Sequence, residues 1–211
     1  MKKQEGKRGT KMSDNDSNKR RPVGRPRSEL SKNAIIEALI TLLEESGFAA
    51  LTIEAIATQA GVGKATIYRW WPNKSALLLD AFLMTTEPNI RLNEEVSVEE
   101  NFRNQLQNLA KVFNSAIGRT TIAMVADSGA DSEEAKAFAS AYLKPNRELA
   151  KKLLTRGIDR GEIKPQEDFD VLLDMFYGPV YFRVLIHKKK LDHTFVDMLV
   201  EQVMKSIRTP S

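Results

Sequence analysis

The stretch LTIEAIATQAGVGKATIYRWWPNKSALL, Leu51 to Leu78, constrains the fold most, because its helical pattern is interrupted twice, at Gly61-Val62-Gly63 and at Pro72. Thr52 is a good N-cap for a short helix from Ile53 to Ala60, with Glu54 facing the positive end of its dipole. A second short helix follows from Lys64 to Trp71, and Asn73 caps a third through Ala76, Leu77, Leu78, Ala81 and Phe82 toward Glu87-Pro88. Upstream, Ala34, Ile35, Ala38, Leu39, Leu42 and Leu43 recur every three or four residues, the face of an amphipathic helix that Gly47 ends in a left-handed conformation. A unit this small needs every apolar side chain it has, so Ile56, Val62, Ile67 and Leu77 are assigned to packing. Trp71, four residues after Ile67, falls on the inner face and Trp70 on the outer.

The rest of the chain also reads as helix, and no segment alternates as a strand would. Helices are expected over about Val98 to Ile117, Thr120 to Ser128, Ser132 to Leu143, Pro145 to Arg160, Asp168 to His187 and His193 to Arg208, broken at Gly118, Asp131, Gly161 and Lys188-Lys189-Lys190. The expected class is therefore all-α. The 211 residues suffice for two cores. Cysteine is absent, which removes disulfides and thiolate metal sites. No apolar run approaches the roughly 18 residues of a membrane span, and the basic start lacks the apolar segment of a signal peptide, so a soluble cytoplasmic protein without a membrane partner is expected.

Charge is distributed unevenly. Residues 1–30 carry ten Lys/Arg against four Asp/Glu, a balance of +6, whereas the remaining 181 residues carry 22 against 24. Residues 1–28 are polar and basic with almost nothing to bury, a disordered arm that is either a solubilising tail or a binder of polyanions.

Two short helices joined by a tight glycine turn have the spacing of a helix-turn-helix, whose second helix enters the DNA major groove. At these residues the chain resembles the tetracycline-repressor (TetR) family of bacterial transcriptional regulators: helix, turn, aromatic pair and Pro-x-Lys occur in order, and the likeness spans about Ser31 to Phe82. Gly61 gives the turn its positive φ. Lys64 stands at the start of the second helix, Thr66 and Arg69 point outward, and Tyr68 can offer its hydroxyl to a phosphate. Lys74, and Thr52 at the first motif helix, sit at helix N-termini suited to phosphate. Ala65 and Trp70 complete the expected DNA-contact set. Gly63, Ala65 and Trp70 depart from the serine, glycine and histidine common at these places in the family.

Arg20-Arg21-Pro22-Val23-Gly24-Arg25-Pro26-Arg27 resembles the Gly-Arg-Pro core of an AT-hook, in which an extended segment lies along the minor groove. Arg25 and Arg27 are therefore candidate DNA contacts beside the major-groove helix.

The resemblance implies that residues 29–87 form a DNA-binding domain and 88–211 a ligand-binding and dimerisation domain. Leu172, Met175 and Phe182 on one late helix, with Phe195, Leu199 and Val203 on the next, offer more apolar surface than one small bundle buries, so a homodimer is expected, with intramolecular core taking some of them. A two-fold dimer would present its recognition helices to half-sites roughly 34 to 36 Å apart or a multiple of that. Gly178-Pro179 interrupts a strong helical pattern amid Phe176, Tyr177 and Tyr181, and Met124, Phe138 and Tyr142 could join them. These residues either line a cavity for a small apolar or aromatic effector or form a plain aromatic core.

Enzymatic signals are weak. His187 and His193 lack metal-ligand spacing, Ser132-Glu133-Glu134 reads as a helix start, and Gly61-Val62-Gly63-Lys64 lacks the spacing of a P-loop. No catalytic residue, metal or cofactor is expected. The expected function is a ligand-responsive repressor, released from a double-stranded, palindromic DNA operator by a small organic effector. The alternative is a ligand-independent architectural DNA-binding protein, which the size of the second half disfavours.

Overall fold

The computed structural model describes residues 25–86, 93 and 95–210, with side chains from residue 28. Helices α1 (Arg25–Ala50), α2 (Ile53–Gln59), α3 (Lys64–Tyr68) and α4 (Lys74–Thr86) pack around Ile35, Leu39, Ile56, Ile67, Leu77 and Phe82, all fully buried. The interruptions behave as their chemistry requires. Gly47 takes a φ of +73° within α1 and Gly61 a φ of +65° between α2 and α3, conformations that a side chain strains. Thr52 caps α2 through its hydroxyl, which accepts from the Ala55 amide at 3.1 Å, and the Asn73 side chain accepts from Ala76 at the start of α4.

Helix α1 begins inside the expected arm, at Arg25. Arg25, Pro26 and Arg27, read as the end of an extended arm, have helical backbone; a proline in the first turn costs nothing there because its missing N–H would have no partner. Residues 1–24, the rest of that arm, lie outside the described residues.

The larger part comprises α5 (Val98–Asn114), α6 (Ala116–Asp127), α7 (Glu133–Phe138), α8 (Lys144–Asp159), α9 (Phe169–Leu185) and α10 (His193–Ile207). Among the described residues the only extended pairing is one isolated bridge, Ile163 to Arg208. The break between α5 and α6 falls at Ser115, not at Gly118. Ser115 adopts extended backbone and its hydroxyl caps α6 by accepting from the Gly118 amide. Gly118 is inside α6 for a packing reason: a Cβ there would stand 2.0 Å from the Val112 carbonyl oxygen.

A second departure lies at Pro145. The expected break between two helices is instead a π turn, Ala139–Leu143, that joins α7 to α8 without interruption. Proline cannot donate to the carbonyl four residues back and its ring would collide with it, so a widened turn relieves the conflict. The Asn146 side chain donates to the Tyr142 carbonyl at 2.7 Å in the same turn. Helix α9, by contrast, continues through Pro179.

Two helices join the halves. Helix α6 packs on both α1 and α4, and α4 in turn meets α5 and α7.

Candidate functional site

Helix α3 buries Ile67 completely against the first helices, which forces the rest of its short surface outward. Lys64, Ala65, Tyr68, Arg69 and Trp70 are exposed on that side and Thr66 is half-buried. The Arg69 guanidinium lies 5.9 Å from the centre of the Trp70 ring. Arg69 and Trp70 border a surface groove with Ser28 and Ser31, so the start of α1 runs beside α3 and the turn after it. Each contact expected on and just after α3 is thus at least partly open to solvent, and the capping residue Thr52 is exposed at the start of α2.

The tryptophan pair divides as its spacing required. Trp71 is 4% exposed, and its indole N–H donates to Asp80, which also holds Lys32 in an ion pair at 3.0 Å. Trp70 is 38% exposed.

Lys74 requires a correction. Its ammonium donates to the carbonyls of Phe48 and Leu51 at 2.8 and 2.9 Å and lies over the Phe48 ring at 4.2 Å. It is turned inward as a tie between α4 and the α1–α2 connection, with its charge spent on carbonyl oxygens. Sequence reasoning also missed a partner at the surface. Glu54 accepts from Lys64 at 2.8 Å, and the pair holds the Glu54 carboxyl below its ordinary value, chiefly through that hydrogen bond, and raises that of Lys64. No periodicity signals it, since the two residues belong to different helices.

In the larger part, a cavity of about 580 Å³ opens between α4, α5, α6, α7, the π turn, α8 and α9. Phe138, Tyr142, Tyr177 and Tyr181 line it, as does Gly178. Phe176 does not: it is fully buried and stacks on Phe102 with ring centres 4.0 Å apart, a core contact between α9 and α5. Met124 lies on another face of α6, in a surface groove near Phe48 and Ser75. The polar lining was not foreseen. Gln105 accepts from the Tyr177 hydroxyl at 2.7 Å, and Arg147 donates to Asp174 at 2.7 Å. These residues are 27 to 72 positions apart in sequence, beyond the reach of any local pattern.

The apolar face expected for dimerisation also sorts itself. Leu172 and Val203, at 3% and 4% exposure, belong to the core and not to a surface. Met175 and Phe182 are exposed, and Val171, Ile186 and Met198 extend their patch. Phe195 and Leu199 are half-buried beside Met198, with the Arg183 guanidinium 4.4 Å from the Phe195 ring centre.

Among the described residues no group of three acidic or histidine side chains could hold a metal ion, and no helix is long and apolar enough to cross a membrane.

Comparison with known proteins matches residues 35–81 to the pattern described as "Bacterial regulatory proteins, tetR family" and residues 93–203 to "Tetracyclin repressor-like, C-terminal domain". The chain is 35% identical over 188 residues to the HTH-type transcriptional regulator YdeS of Bacillus subtilis, covering 89% of this chain and 95% of that one. It is 28% identical over 173 residues to the HTH-type regulator Mb1581 of Mycobacterium bovis, covering 81% and 84%. The solved structure of the regulator SCO0332 superposes with a TM-score of 0.68 at 30% identity, over 85% of this chain and 99% of that one.

Proposed function

The chain belongs to the TetR family of transcriptional regulators, which are DNA-binding proteins, and on that premise we propose that it is a repressor released from a palindromic operator by a small organic effector. In this reading residues 29–87 are the DNA-binding domain, residues 88–211 bind effector and dimerise, and the basic residues 1–24 add contacts to phosphate. The observation that carries it is the outward surface of α3, where Lys64, Thr66, Tyr68, Arg69 and Trp70 converge while Ile67 anchors the helix from behind. Arg69 and Lys64 read base edges or phosphates, Tyr68 donates to phosphate, and Trp70 supplies an apolar contact to sugar or thymine methyl.

Two copies pair through the exposed face of α9 and α10, so that both α3 helices meet half-sites roughly one helical turn apart, or a multiple of it. The effector occupies the cavity. Helix α4 links it to the DNA: Thr86 lines the cavity at one end, and Lys74 ties down the other, about 20 Å away at 1.5 Å per residue. Between them Phe82 meets the Tyr142 ring edge-on at 5.0 Å and Phe138 at 5.8 Å. An effector that binds one position of α4 better than another changes head spacing by that difference in affinity. The cavity favours this reading over an architectural protein, which has no use for one.

The test is footprinting on the DNA flanking the protein's own coding sequence, with and without candidate effectors. A protected palindrome that some effector releases is expected. A chain that protects no site there, or that binds DNA of any sequence equally, would sink the proposal. Removal of residues 1–24 should lower the salt slope of operator binding by several units if the arm contacts phosphate, and leave it unchanged if the arm only solubilises.

A further inference from the structure

The walls of the cavity define what it accepts. Among the described residues its only ionised liners are Arg147 and Asp174, and they are bound to each other at 2.7 Å. Arg147 is further engaged: Nε and Nη2 donate to the Asp170 carboxylate at 3.2 and 2.9 Å, and Nη2 also to the Asp170 carbonyl. Lys151 holds the other carboxylate oxygen of Asp170 at 3.0 Å. A carboxylate ligand would have to displace Asp174 from the guanidinium, and a cation would have to draw Asp174 away from it. Asp170 and Asp174 are exposed, so this pairing lies at the solvent side of the cavity, and the mostly apolar wall beyond it offers no partner to a buried charge.

The uncharged polar groups are in the opposite condition. Tyr142 and Tyr181 line the cavity, and neither hydroxyl has a hydrogen-bond partner among the described residues. Gln105 spends its carbonyl oxygen on Tyr177, which leaves its amide N–H groups to serve a ligand. The two tyrosine rings are also fixed in place. Phe82 meets Tyr142 edge-on at 5.0 Å and Phe113 meets Tyr181 edge-on at 5.4 Å. Burial pushes all three cavity phenols above the usual tyrosine range, so they remain protonated donors at neutral pH.

We infer that the effector is an uncharged, ring-bearing compound carrying hydroxyl or carbonyl groups, which hydrogen-bond to Tyr142, Tyr181 and the Gln105 amide while its ring packs among the aromatic walls. This rests on the reading of the cavity as the effector site. It adds that the molecule has no net charge and that its polar groups are what Tyr142, held against Phe82 of α4, senses. A volume of about 580 Å³ lies within the range of pockets that enclose a drug-sized molecule.

The experiment measures binding to the full chain by calorimetry, without DNA. The probes are dihydroxyanthraquinone, anthracene, anthraquinone carboxylate, dodecanoate and dodecyltrimethylammonium. The neutral diol is expected to bind at least about tenfold more tightly than any charged probe. Tyr142→Phe and Tyr181→Phe should each weaken the diol by about threefold to tenfold and leave anthracene, which has no polar group, unchanged, a contrast that a merely unstable variant would not produce. Tighter binding of a charged probe, no binding of either neutral probe, or equal affinity of the diol for all three proteins overturns the inference. Release of operator DNA is read separately. Release by a charged probe keeps the repressor reading and defeats this one; diol binding without release does the reverse.

Discussion

In the first four helices, the side chains that build the core and those that face outward alternate within a few residues of each other. Ile67 is fully buried while Ala65, Tyr68 and Arg69 are exposed on the same short helix. The cavity follows the opposite plan, since its lining comes from six helices and a π turn. The contrast has a physical root. A surface that must fit a regular groove needs only one helix held at a fixed angle, whereas an enclosure for a small molecule needs walls on all sides and so draws on distant parts of the chain. It also implies different responses to change: substitutions on the outward surface of α3 should act singly and leave the fold intact, while those around the cavity should disturb stability and communication together.

Phe82 is where the two plans meet, and its removal is the most severe test. It is fully buried, belongs to α4, and packs on Phe113, Phe138 and Tyr142. Phe82→Ala is expected to cost about 3–5 kcal/mol of stability in denaturant unfolding. A loss under about 1 kcal/mol would mean that the halves are less tightly joined than the packing indicates.

Lys74→Ala comes next and bears directly on the corrected role of that residue. Two hydrogen bonds from a half-buried ammonium to main-chain carbonyls should be worth about 2–3 kcal/mol together. Stability should fall by that order while the salt slope of operator binding stays constant. A slope reduced by about one with stability unchanged would restore the phosphate contact expected from sequence.

The legible and illegible parts divide along the same line. The helices of the first half, the positive φ of Gly47 and Gly61, the caps at Thr52 and Asn73 and the inward turn of Trp71 were all readable, because each is set by residues within about one or two turns. Lys74 was misread because the carbonyls it binds lie 23 and 26 positions upstream. Gly118 looked like a break because glycine usually is one, but it stands where two helices touch, which only the packing reveals. Of the aromatic residues expected in the cavity, four line it; Phe176 faces the other way onto Phe102, and helical spacing alone could not tell one side of α9 from the other when both are apolar. Leu172 and Val203 were mistaken for interface for the same reason, in helices apolar enough to fill a core and still leave Met175 and Phe182 outside.

Arg69→Ala should cost about 1–3 kcal/mol of operator affinity, or roughly tenfold to a hundredfold, with no change in the melting temperature beyond a degree or two. Binding-site selection with the variant should show relaxed preference at one or two base pairs. A uniform loss across all sequences would instead assign Arg69 to phosphate.

The smallest effect concerns Glu54, a carboxylate placed on the same side as the basic residues and bonded to Lys64. Both side chains are exposed, so the pair contributes little to folding. What it changes is the charge available to DNA. Paired, Lys64 presents almost no net charge to a phosphate; Glu54→Gln frees a full positive charge, and operator affinity at low salt should rise with a salt slope steeper by up to about one. The pH dependence carries its own sign. Because the folded carboxyl titrates below its unfolded value, the small stability the pair gives is present above the unfolded pKa and lost as pH falls through the folded one. Protonation of Glu54 therefore begins only below its ordinary carboxyl value, so the rise in wild-type DNA affinity that it brings is confined to that acid range and should vanish in Glu54→Gln. An identical pH profile in both proteins over that range would show that Lys64 leaves Glu54 on reaching DNA.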